Sequence, residues 1–118
     1  MSMHNPRRCE VWIVDFNPTK GVEIQKQRPA IVISSDALGK LPLKIVAPIT
    51  GWRENFSSNI WHVQLKPSSE NGLSKESAVD ILQVRSVDTS RFMSRLGYIR
   101  EAQMEEIVQA LAAVIELT

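Results

Sequence analysis

Apolar residues along this chain come in short runs separated by polar breaks rich in proline, glycine and serine, the rhythm of strands rather than helices. Cys9–Phe16 carries Val11, Trp12, Ile13, Val14 and Phe16 and predicts a first strand, preceded by a flexible N-terminal arm over residues 1–8. A turn at Pro18–Gly21 opens a long polar loop. Pro29 bars a helix and biases Arg28 toward extended backbone, so Ala30–Ile33 predicts a second strand with apolar residues on both faces. Ser35–Gly39 predicts a turn or single helical turn, and Leu43–Ile49 a third strand whose end Pro48 places at an edge or bulge. After a polar loop over 51–58, Asn59–Lys66 alternates, with Trp61, Val63 and Leu65 on one face and Ile60, His62 and Gln64 on the other. The stretch PSSENGLSKES (67–77) reads as too polar for the core. Ala78–Val87 predicts one or two short strands around Gln83, 88–92 a tight helical turn, and Leu96–Ile99 a last strand.

The ending differs in kind. From Glu101, Met104, Ile107, Val108, Leu111, Val114 and Ile115 recur at helical spacing, and Glu101, Glu105 and Glu106 favour the positive end of the helix dipole. Strands joined by links too short for helical crossovers, then one helix, predict a mainly β chain with α: a small antiparallel barrel capped by a C-terminal helix, a single domain over 1–118.

Composition changes this picture little but narrows function. A net charge of +1 means that a nucleic-acid partner must be met by a local cationic patch, not a global field. The single cysteine, Cys9, excludes an intramolecular disulfide and reads as a small core residue. No signal peptide or membrane-length apolar run occurs, so a soluble, cytoplasmic protein without membrane association is expected. His4 and His62 lie far apart, and no metal, Walker or dinucleotide motif appears, so neither metal nor cofactor is expected.

What remains is a set of polar groups suited to a phosphate. Arg28 stands where a rigid strand leaves a loop mouth, either to meet an anion or to pack its stem beside the strand. Thr50 ends the third strand as Gly51 breaks it; it projects a hydroxyl toward the same mouth or simply finishes the strand. Glu23 is a candidate general base or a solvated carboxylate offsetting Lys20 and Lys26. Trp52, beside Arg53, suits base stacking, burial against the barrel or an interface. His62 reads as a surface histidine, with proton transfer as the alternative.

Together NPTKG, Glu23, QRPAIVIS, a strand ending PIT, and QVRSVD resemble the MazF/PemK family of toxin endoribonucleases, in order and over nearly the whole chain. The resemblance implies an SH3-like barrel with a C-terminal helix. It also implies a homodimeric, metal-independent mRNA interferase that cuts single-stranded RNA and is neutralised by a MazE-like antitoxin whose disordered tail covers the RNA site. Arg28 and Thr50 match the family's catalytic pair and Glu23 its loop glutamate, while Gln83 and Arg85 match the segment near the cleft. Lys20, Lys26, Gln27, Trp52 and Arg53 are then the expected walls of the RNA site. Val22 and Leu82 depart from the family's polar residues, leaving proton transfer to Glu23, Asp80 or His62. A rival reading keeps the fold without catalysis, as in relatives that bind DNA gyrase; those end in a tryptophan-bearing helix, whereas this one ends AVIELT.

Overall fold

The computed structural model describes residues 4–117. Seven strands form one antiparallel sheet: β1 (Glu10–Asp15), β2 (Gln27–Val32), β3 (Leu43–Gly51), β4 (His62–Leu65), β5 (Ser77–Asp80), β6 (Arg85–Asp88) and β7 (Phe92–Tyr98), followed by helix α1 (Glu101–Val114). Neighbours run β4-β5-β3-β2-β1-β7, with β6 also on β3, so the sheet curls without closing. This is the expected mainly β architecture with its terminal helix.

Alternation along the central strands supplies two cores, one on each face. Val11, Ile31, Ala47 and Ile49 point to one side, where Met104 and Ile107 of α1 cover them. Trp12, Val14, Ala30, Val32 and Val46 point to the other and meet Phe16, Val87 and Phe92. Burial on both faces explains why β2 reads as a continuous apolar run rather than an alternating one. The helix buries only part of its apolar stripe: Val108 and Ile115 stay exposed. Its first turn is capped by Gln103, whose Oε1 accepts the Arg100 backbone N–H at 2.9 Å. No helix among the described residues is long and apolar enough to cross a membrane.

Three local expectations are revised. Pro48 does not end β3. Residues 43–46 pair with β6 and 49–51 with β5, and Pro48 occupies the gap, where no strand needs the N–H it lacks. Cys9 precedes β1 at φ 75, half-buried against the helix-covered core, and burial pushes its thiol pKa up. Of the expected arm, residues 1–3 lie outside the described residues. Further along, Pro6 is buried, the Arg8 N–H donates to Asp36 at 2.9 Å, and its guanidinium donates to the Ile33 carbonyl.

Candidate functional site

Strand register builds the site. β2 and β3 pair Ala30 with Pro48, Ile31 with Ala47 and Val32 with Val46. Continued two residues toward the loop end, the same register sets Arg28 beside Thr50. Both half-buried residues line one cleft of about 520 Å³, with Lys26, Gln27 and Gly51 on the same rim. Arg28 Nε donates to the Gln25 carbonyl at 3.1 Å. Among the described residues no carboxylate forms an ion pair with its guanidinium. A fork fixed at its base and unpaired at its tip is suited to an incoming anion.

The far wall comes from the loop after β4, which sequence reasoning set aside as merely polar. Gly72, Leu73, Ser74, Lys75 and Ser77 all line the cleft. The loop holds its shape through Asn71, only 1% exposed. Asn71 Oδ1 accepts the N–H groups of Ser68 and Leu73, each at 3.0 Å, and Nδ2 donates to the Lys66 carbonyl at 2.9 Å. Two glycines then allow this loop to lie against β7. A Cβ on Gly72, at φ 69, would come within 2.3 Å of the Leu96 carbonyl oxygen, and one on Gly97 within 1.9 Å of the Glu70 carbonyl oxygen. Glu70 accepts both forks of Arg100, at 2.9 and 2.7 Å, and the Tyr98 hydroxyl at 3.0 Å. The Arg100 hydrogen bonds, followed by that of Tyr98, hold its pKa below the ordinary carboxylate value. The sequence signal for this wall was the Asn71-Gly72 turn, with Ser74 and Lys75 just beyond it.

The near loop, 17–26, distributes its candidates differently. Lys20 is exposed, and its backbone N–H donates to Glu23 Oε1 at 2.5 Å. Glu23 does not line the Arg28 cleft. It lines a neighbouring recess of about 280 Å³ with Phe16, Leu82, Gln83 and Arg85. There Gln83 straddles the loop: Oε1 accepts the Ile24 N–H and Nε2 donates to the Val22 carbonyl, each at 3.3 Å. The Arg85 guanidinium sits 5.8 Å from the centre of the Phe16 ring. Trp52 is half-buried, edge-on to Phe56 at 5.9 Å, and the exposed Arg53 leads into a short 3-10 turn; neither lines the cleft.

His62 is not a surface histidine. Its side chain is 7% exposed, stacked on Phe56 at 3.8 Å, with Nε2 3.9 Å from Asp80 Oδ2 and Nδ1 3.1 Å from Asn59 Nδ2. Burial lowers the His62 pKa against the pull of Asp80, and burial raises that of Asp80. The pair lies away from the cleft lining. Among the described residues, no three His, Cys, Asp or Glu side chains gather as a metal-ligand set.

Residues 7–115 match the family model described as PemK-like, MazF-like toxin of type II toxin-antitoxin system. The chain is 34% identical over 106 residues to the Endoribonuclease MazF of Staphylococcus saprophyticus, covering 89% of this chain and 87% of that protein. The fold matches the crystal structure of MazF from Deinococcus radiodurans with TM-score 0.81 at 24% identity, over 97% of this chain and 99% of that one. It also matches an endoribonuclease from Mycobacterial species solved in complex with its cognate antitoxin, with TM-score 0.75 at 20% identity, over 97% and 98% of the chains.

Proposed function

Because this chain belongs to the PemK-like, MazF-like toxins of type II toxin-antitoxin systems, we propose that it is an endoribonuclease that cuts single-stranded RNA in the cleft shared by Arg28 and Thr50. The observation that carries this reading is that Arg28, whose guanidinium meets no carboxylate among the described residues, and Thr50 line one cleft rimmed by Lys26 and Gln27. The named activity of the Staphylococcus saprophyticus relative points the same way.

RNA brings its own nucleophile. The 2′-oxygen forms a bond to the adjacent phosphorus and loses its proton, and the bond from phosphorus to the 5′-oxygen breaks as that oxygen gains one. The products are a 2′,3′-cyclic phosphate and a 5′-OH. No metal is required to generate that nucleophile, and the chemistry is proposed to proceed without one. Between them stands a dianionic phosphorane, and Arg28 meets its oxygens with two donors while the Thr50 hydroxyl orients the phosphate. A preorganised donor of this kind contributes about 3–4 kcal/mol, some two to three decades in rate.

Among the described residues, no carboxylate or imidazole lines the cleft. Glu23 reaches the 2′-OH as a base only after loop 17–26 turns its carboxylate out of the neighbouring recess. Charge stabilisation is therefore the leading contribution of the resting cleft. The mycobacterial endoribonuclease solved with its cognate antitoxin extends the proposal to an antitoxin partner, for which the family resemblance implies a MazE-like protein, as it implies a homodimer for this chain.

The test is incubation of the purified protein with a long single-stranded RNA in excess EDTA, with the fragment ends mapped. Discrete cuts bearing 5′-OH ends are expected, and Arg28→Ala abolishes them while its circular dichroism and size are unchanged. An active Arg28→Ala variant overturns the mechanism. Absence of cleavage together with inhibition of gyrase supercoiling would transfer the chain to the non-catalytic class.

A further inference from the structure

We propose that Lys75, a cation on the wall facing Arg28 and Lys26, contacts the same phosphate as Arg28 and neutralises the charge that the phosphorane gains. This rests on the ribonuclease reading and adds to it a residue from the wall opposite Arg28. Lys75 lines the cleft with Arg28 and Thr50. Its Nζ lies over Gly51, 3.3 Å from where a Cβ on that glycine would stand, one residue past Thr50. Glycine at this position leaves room for the ammonium to lie flat across the end of β3.

Lys75 is exposed, and three further features leave it available to a ligand at the cleft. No carboxylate ion-pairs with it among the described residues. Its backbone is fixed: the carbonyl of Lys75 accepts the hydroxyl of Ser77 at 2.8 Å, and Ser77 is itself 3% exposed and paired with Gly51. The loop that carries it is pinned by the buried Asn71. A mobile side chain on a rigid base thus reaches the Thr50 end of the cleft.

Charge balance gives the cation its role. The ground-state phosphodiester carries one negative charge and the phosphorane two. Arg28 matches the first, and a compact ammonium with three donors suits the second. An interaction that grows between ground and transition state raises kcat rather than lowering KM.

The experiment compares wild type, Lys75→Ala, Lys75→Arg and, as a control outside the cleft, Lys40→Ala. Cleavage is read in single turnover at saturating RNA, and binding by anisotropy with a 2′-O-methyl single-stranded RNA that cannot be cut. Lys75→Ala is expected to slow cleavage about 10- to 100-fold, and to flatten the slope of log affinity against log salt by about 0.7. Its unfolding midpoint stays at the wild-type value, Lys75→Arg restores most of the rate, and Lys40→Ala leaves both readouts unchanged. Unaltered cleavage in Lys75→Ala overturns the proposal, as does a loss confined to binding, because the ammonium would then only steer the strand. Failure of the ribonuclease reading is distinct, since it shows as absence of cleavage by wild type.

Discussion

Loops 17–26 and 66–76 meet the Arg28 cleft from opposite sides and are held by different means. The far loop is tied by a buried amide, by two glycines that let backbone lie on backbone, and by a bidentate Glu70–Arg100 pair. The near loop is exposed at its crown, with Val22 at 95%. Its ties to the body of the fold come from Gln83, through two bonds of 3.3 Å, from Arg28 Nε and the Phe16 N–H, which donate to the carbonyls of Gln25 and Lys26 at 3.1 Å, and from Arg91, which donates to the carbonyl of Asn17. The difference separates two tasks. A wall held by buried groups keeps Lys75 beside Gly51 at the end of β3, while a wall exposed at its crown has the freedom to move as a strand enters.

The strongest way to break this contrast is to push the far loop off β7. Gly97→Ala would force a methyl into the Glu70 carbonyl oxygen, and neither backbone can yield cheaply. A loss of about 3 kcal/mol or more is expected, read as a lowered urea midpoint, and cleavage should fall with it as the wall is displaced. A tolerated Gly97→Ala would mean that the contact is not holding the loop. Asn71→Ala follows in size. It leaves the N–H groups of Ser68 and Leu73 and the carbonyl of Lys66 without their partner, at a cost of about 2–3 kcal/mol by the same measurement.

The contrast also explains what could be read from the sequence and what could not. Pro29 and Gly51 marked the stretches in which Arg28 and Thr50 would lie, although β2 begins earlier, at Gln27, and β3 runs on through Gly51. Once the two strands pair, the intervals place the two residues together. The helix was legible from its period, and the two-sided burial of β2 from its unbroken apolar run. Lys75 was not legible, because its place depends on Gly72 lying against Leu96 and Gly97 against Glu70, contacts between distant stretches that leave no periodic trace. Asn71 and His62 were misread for a related reason: composition assigns polar residues to the surface, and only tertiary partners reveal a satisfied amide or a histidine stacked beneath Phe56. Glu23 was correctly seen as a loop carboxylate, but sequence distance to Arg28 says nothing about which side of the loop it faces.

On the near wall, Gln83→Ala should cost only about 0.5–1 kcal/mol in global stability, since both bonds are long and partly solvated. Its larger effect is local. Hydrogen exchange at Ile24 should accelerate while the strand amides of β2 and β3 stay protected; equal acceleration throughout would show that the loop is not an independent unit. Smallest of all is the pH effect at the far wall. Glu70 has its pKa lowered by Arg100 and then Tyr98, so the folded state releases its proton more readily than the unfolded chain does. The resulting stabilisation is fully present above the ordinary carboxylate value of 4.5 and is lost as pH falls through the lowered folded value. A Glu70→Gln variant removes it at every pH. The gap in melting temperature between wild type and Glu70→Gln should therefore hold near neutrality and close below pH 4.5. High salt should narrow it at neutral pH as well, because the Arg100 side chain is 72% exposed and its pairing is screened. A gap that survives both acid and salt would mean that Glu70 holds the loop through its backbone carbonyl and Gly97 alone.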